Sequence, residues 1–261
     1  MKSVAAALEV ALKKRVWRPA VEITVDDRRN AGVSPTVWSQ WYAGTEVNVA
    51  HGALASVGGW IIDFRVNTTA GELYCRRMTL GDNPALAAWT RLSPGVRTDA
   101  QIAAAVDGDS VYIFWVDSDL KTIKYKVSTN AAGNWSEVGT AGALADGHKC
   151  NALAAVCPGN GLHDVLLIVS DSPTDDQITQ DKDLRWAYYT VAGGWSALAS
   201  WGRTLGKSCR GIAAVAHDCD GSHSECTLVV TGKFETVTSG FNLQAYHLHV
   251  NALHALSLIH I

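Results

Sequence analysis

The chain repeats itself, and that repetition constrains its fold more than any other feature. Four short apolar stretches recur: ALASV (53–57), IAAAV (102–106), ALAAV (152–156) and GIAAV (211–215). They return roughly every 50–60 residues, a spacing typical of arrays in which each unit is one supersecondary motif. Each is followed by the same sequence of parts. A second apolar run comes first: WIIDFRV, SVYIFWV, DVLLIVS and CTLVVTG. A polar turn follows: NTTAGE, DSDLKT, DSPTDDQITQDKD and KFETVTSGFN. A third run then carries an aromatic residue: Tyr74 in LYCRRM, Tyr125 in IKYKV, Trp186 in LRWAYY and Tyr246 in LQAYHLHV. Three units close on tryptophan, with Trp89 in AWTRL, Trp135 in NWSEV and Trp195 in GWSAL; Trp38 in VWSQW stands upstream.

Four short strands per unit, with alternation of period two in SVYIFWV and IKYKV, define an all-β chain of four-stranded blades, a β-propeller. The small residues of the first run suit strands crowded around a central axis. The third unit is longer than the others, and its excess falls in the polar DSPTDDQITQDKD turn, where added length costs little. The expected organisation is a helical segment or fragment start over 1–16, a partial first blade over 17–50 and propeller blades over 51–250. Residues 251–261 are set aside as a non-native tail, because LSLIHI resembles translated adapter sequence. About four to five blades are then present. An open array leaves strand edges unpaired, so the ring is expected to associate with missing blades or another subunit.

Composition excludes several classes. The net charge of −3 offers no basic excess for nucleic acid, and no apolar run reaches the ~20 residues that span a bilayer. The N-terminal MKSVAAALEVALKKR is not patterned as a signal peptide, since Glu9 interrupts the apolar stretch and Lys13, Lys14 and Arg15 stand where small residues would be cleaved. None of the six cysteines forms a Cys-x-x-Cys pair, which argues against zinc or thioredoxin-type chemistry. Cys219 and Cys226 flank the turn-like DGSHSE and are expected to face each other across a hairpin. With the sequons at Asn67 and Asn134, they lean towards an extracellular compartment. His247 and His249 lie on one face of a strand without a third ligand, so neither a metal nor a cofactor is expected.

The chain carries no phosphate-binding loop, nucleophile elbow or metalloprotease helix. Glycoside hydrolysis needs two carboxylates converging on one bond, and most of the aspartates sit in turns, where they bond their own backbone. VDSDLKTIKY approaches the Asp box of sialidases but lacks its glycine. A non-enzymatic role follows. Unit two combines Tyr112, Trp115, Asp117, Tyr125 and Trp135; Arg185 and Trp186 extend the set into unit three. Aromatic faces stack on the C–H face of a sugar while Asp and Arg bind its hydroxyls. Repeated shallow sites of this kind gain avidity, so these seven residues are the expected glycan or glycoprotein contacts. The alternatives are a sialidase-like hydrolase and a protein-binding propeller.

The order IAAAV, SVYIFWVDSD, TIKYKV, NWSEV resembles a blade of the fucose-binding lectins, over roughly residues 50–250. The resemblance implies a lectin whose sugar site takes an Arg from the second strand, a Glu from the third and a Trp. Unit two has neither the Arg nor the Glu; unit one has Arg65 and Glu72 near those places in another register. AWTRL followed by VYIFWVDSD (about 89–120) also resembles the neuraminidase-like domain of insecticidal toxin-complex subunits, which implies receptor recognition.

Overall fold

The computed structural model describes residues 49–79, 87–158, 165–173, 183–204, 208–217, 223–233, 242–251 and 256–260. All belong to one compact unit, Glu46–Ile261; the other, Met1–Thr45, lies outside the described residues. So do the expected helical segment over 1–16 and all but the last residues of the expected half-blade over 17–50.

No helix occurs among the described residues, and the strands form four antiparallel sheets. The first contains β1 (Val49–Val57), β2 (Trp60–Asn67), β3 (Glu72–Thr79) and β4 (Thr90–Pro94) in that order. The second contains β5 (Ala103–Asp107), β6 (Ser110–Val116), β7 (Thr122–Ser128) and β8 (Gly139–Ala143). The third runs through β9 (Leu153–Val156), β10 (Val165–Asp171), β11 (Asp183–Thr190) and the short β12 (Gly194–Trp195), and β13 (Ala199–Thr204) also pairs with β11. The fourth is β14 (Ser208–His217), β15 (His223–Lys233), β16 (Asn242–Asn251) and β17 (Leu256–His260). The first strands of successive sheets pack in turn, β1 against β5, β5 against β9 and β9 against β14. Meandering four-stranded sheets with their first strands side by side are blades of a β-propeller. The tail set aside from the sequence pairs along β16 as the fourth strand of the fourth sheet.

Side chains alternate across each sheet and fill the seams between neighbours. On β6, Val111, Ile113 and Trp115 join the core shared with the first sheet, which contributes Ile62, Phe64 and Val66. Tyr112, Phe114 and Val116 join the core shared with the third sheet, against Val165, Leu167 and Val169. Cys75, Cys150 and Cys209 are buried free thiols. Burial pushes Cys75 up to about 11 and both Cys150 and Cys209 to about 12, so they sit in the chain as small apolar residues. Cys226 is buried opposite Ala216 on β14, and its expected partner Cys219 lies outside the described residues.

Two polar struts tie the connections together. The buried Arg97 donates from Nη1 to the Cys150 carbonyl (2.8 Å) and from Nη2 to Asn151 Oδ1 (3.0 Å), and it grips Asp99 from Nε and Nη2. Those bonds hold the Asp99 carboxyl below the ordinary carboxylate range. The Gln101 amide pairs both ways with the backbone of Ile212 on β14, donating at 2.7 Å and accepting at 2.9 Å, and so links the connection from β4 to β5 with the fourth sheet.

Candidate functional site

Most of the expected aromatic contacts are packing groups. Trp115 is 1% exposed and Tyr112 is 6% exposed. They stand three residues apart on one strand, so they point to opposite faces of the sheet and cannot share a surface. This corrects the expectation for both. Tyr125 stacks on Phe114 (6.0 Å between centroids) and meets Trp195 edge-on at 5.6 Å. Its ring lies so close over Gly139 that a Cβ there would come within 2.4 Å of it. Trp186 is partly buried, packs against the core shared by the third and fourth sheets, and stacks on Tyr188.

The closing tryptophans follow a rule that the sequence reading missed. Trp135, from the second unit, meets Phe64 on β2 of the first sheet edge to face, at 5.7 Å and 77°. Trp195, from the third unit, meets Phe114 on β6 of the second sheet in the same way, at 5.6 Å and 90°. Each indole fastens its own sheet to the one before it. The serine that follows fixes the geometry. Ser136 Oγ accepts from the Val127 N–H at 3.1 Å and Ser196 Oγ accepts from the Tyr188 N–H at 3.1 Å. The Ser136 and Ser196 N–H groups donate back to the same two residues. A hydroxyl here stands in for a ladder carbonyl. Trp135 therefore lies before the fourth strand, which starts at Gly139, and not inside it as NWSEV had led one to expect. The signal was legible as the repeated Trp-Ser pair.

The polar candidates behave differently. Asp117 directly follows the second strand of the second sheet and Asp171 ends that of the third; in register, Lys124 and Arg185 occupy equivalent places on the third strands. Each carboxylate faces its cation. Asp117 lies 3.9 Å from Lys124 Nζ, and Asp171 Oδ2 accepts from Arg185 Nε at 2.5 Å. The turn after Asp117 is ordered by Asp119, which accepts from the N–H groups of Lys121 and Thr122. In the third sheet a further group joins: Asp171 Oδ1 bonds His148 Nδ1 at 2.6 Å, His148 being on the connection from β8 to β9. Asp171 is 3% exposed, whereas His148 and Arg185 each keep 29% of their side-chain surface. A buried acceptor thus orients two part-exposed nitrogen side chains. His148 was not among the expected residues, because nothing in GHKC marks it before the strands are in register.

In the first sheet, Arg65 and Glu72 do not converge. Arg65 bonds Asp63, while Glu72 accepts from Tyr74 and pairs with Arg91. The guanidinium of Arg76 stacks on Trp89 at 4.5 Å and bonds Asp63. Among the described residues, no group of three or more His, Cys, Asp or Glu side chains could hold a metal ion. His247 and His249 are placed on β16, and their side chains lie outside the described residues.

The chain is an all-β propeller, and that is the class its fold defines. Its folded outline is similar to three solved glycoside hydrolases. They are a sialidase from Streptococcus pneumoniae (15% identity, 73% of this chain and 28% of that one, TM-score 0.42), an α-L-arabinofuranosidase from Fusarium graminearum (11%, 82% and 66%, 0.47) and an exo-β-1,3-galactanase from Phanerochaete chrysosporium (9%, 84% and 51%, 0.47). The chain spans between 28% and 66% of the length of these enzymes. Likeness at this level says nothing of what the chain binds. No family model matches the sequence, and no curated protein matches it. No helix among the described residues is long and apolar enough to cross a membrane.

Proposed function

We propose that the protein is a non-enzymatic, carbohydrate-binding propeller whose contacts lie in the polar clefts between neighbouring blades. The observation that carries this reading is the recurrence of one device, an acid at the end of or just after the second strand set against a base on the third, in two consecutive sheets. Clustered donors and acceptors at equivalent places are what a repeated, shallow hydroxyl-binding site needs. Asp117 and Arg185 keep their expected ligand roles here, and His148 and Lys124 join them. Trp186 is retained as a partly buried neighbour of Arg185 on β11. The third-sheet cleft is the better formed, since Asp171 fixes both of its partners. A protein-binding propeller is the second reading, favoured by the burial of Trp115. A glycan-array screen on the folded protein separates the two. Selective glycan binding that Arg185→Gln abolishes without lowering Tm supports the carbohydrate reading. A folded sample that binds no glycan overturns it.

A further inference from the structure

We infer that the third-sheet cleft selects a neutral sugar hydroxyl over a carboxylate, and that protonation of His148 reverses this preference; the inference rests on the carbohydrate-binding reading above. The reason lies in how Asp171 is spent. Both of its oxygens are engaged, Oδ1 by His148 Nδ1 and Oδ2 by Arg185 Nε. A carboxylate has no proton to give, so Nδ1 is the donor and carries the imidazole proton. In the neutral ring Nε2 then holds a lone pair. Arg185 has five N–H donors and uses only the one on Nε in bonds among the described residues, which leaves its Nη donors for a ligand. Among the described residues, His148 and Arg185 therefore offer one acceptor beside a set of donors. A hydroxyl gives one proton and accepts others, so it satisfies both sides. A carboxylate can only accept, and it would face the Nε2 lone pair.

Protonation of His148 turns Nε2 into a donor and adds a second positive charge beside Arg185. His148 and Arg185 then offer donors alone, which suits a carboxylate and leaves a hydroxyl's proton without a partner among these groups. The other charged groups on the connection that carries His148 are Asp146, paired with Lys121, and Lys149; on the neighbouring strand Asp183 stands opposite Asp171 in register, and its Oδ2 accepts from Ser200 Oγ. Asp171 acts here as a positioning residue, because its 3% exposure keeps it from touching ligand.

The test follows the His148 imidazole by NMR while methyl glycosides of L-fucose, D-galactose and D-mannose, and D-glucuronate in parallel, are titrated at pH values on either side of the observed His148 titration. The expected result is at least a tenfold loss of affinity for the neutral glycosides as His148 protonates, with glucuronate moving the opposite way. His148→Gln does not titrate, so whatever affinity it has for the neutral glycosides should show a flat pH profile. Neutral binding that Arg185→Gln removes but that stays constant through the His148 titration overturns this inference and leaves the carbohydrate reading intact. A pH fall in His148→Gln equal to that of the wild type overturns it as well. If no sugar binds the folded protein at either pH and the array is blank, the carbohydrate reading fails and takes this inference with it.

Discussion

Between the second and third sheets, Phe114 lies under Tyr125 and Trp195, ring against ring. At the end of β10, on the third sheet, the buried Asp171 meets the part-exposed Arg185 of β11. The seam is made of large apolar groups with nowhere to go, and the cleft of polar groups with bonds to spare. The two differ in what a substitution can remove. In the seam, truncation leaves a cavity in close-packed surroundings and shows as lost stability. In the cleft it removes a partner for a ligand and shows as lost binding.

Phe114→Ala strikes the seam hardest. Phe114 is fully buried and touches rings from both sheets, so its loss should cost about 3–5 kcal/mol in chemical denaturation. A cost near zero would mean that the aromatic seam does not bind the sheets together. Gly139→Ala tests the same seam from the opposite side, by overfilling it. A methyl group there must displace the Tyr125 ring, and a loss of about 1–3 kcal/mol is expected. Val138→Ala, at the exposed neighbouring position, is the control and should stay within about 0.5 kcal/mol.

The sequence revealed the seams only in part. The four-unit repeat placed the sheets and most strand bounds, because strand alternation and turn composition are local. SVYIFWV is β6 residue for residue. The roles of the aromatics were harder to see. A tryptophan that packs a seam and one that faces a sugar carry the same letter, and only register separates them. Period two along β6 already placed Tyr112 and Trp115 on opposite faces, so part of the error was avoidable. The His148–Asp171–Arg185 cleft joins residues from three separate segments, and no spacing along the chain marks it.

Two smaller effects sharpen the contrast between buried framework and open rim. Hydrogen bonds from Arg97 hold Asp99 below the ordinary carboxylate range. Its contribution to stability is therefore present above the unfolded-state value of about 3.9 and is lost as pH falls through the lower folded value. Asp99→Asn should therefore lower stability at neutral pH and leave it near the wild-type value once the wild-type Asp99 is protonated, so that the acid limb flattens in thermal melts across pH. An acid limb that is the same in the variant would show that Arg97 and Asp99 are not coupled. Ala131 and Ala132 adopt left-handed backbone, with φ of 51° and 64°, in the loop that delivers Trp135 to its seam. Ala131→Gly relieves that strain and should stabilise the fold by up to about 1 kcal/mol in the same melts. Destabilisation would mean that the loop depends on the alanine for packing.

The most direct measurement places seam and cleft in one spectrum. The protein would be titrated with the glycan selected on the array while the indole Nε1–H resonances of Trp115, Trp135 and Trp195 and the Nε–H resonance of Arg185 are followed together by NMR. The account predicts that Arg185 shifts with saturation while the three indoles stay in place, because they are locked between sheets. Indoles that shift with the ligand while Arg185 does not would contradict it, and would put the sugar on the aromatic faces instead.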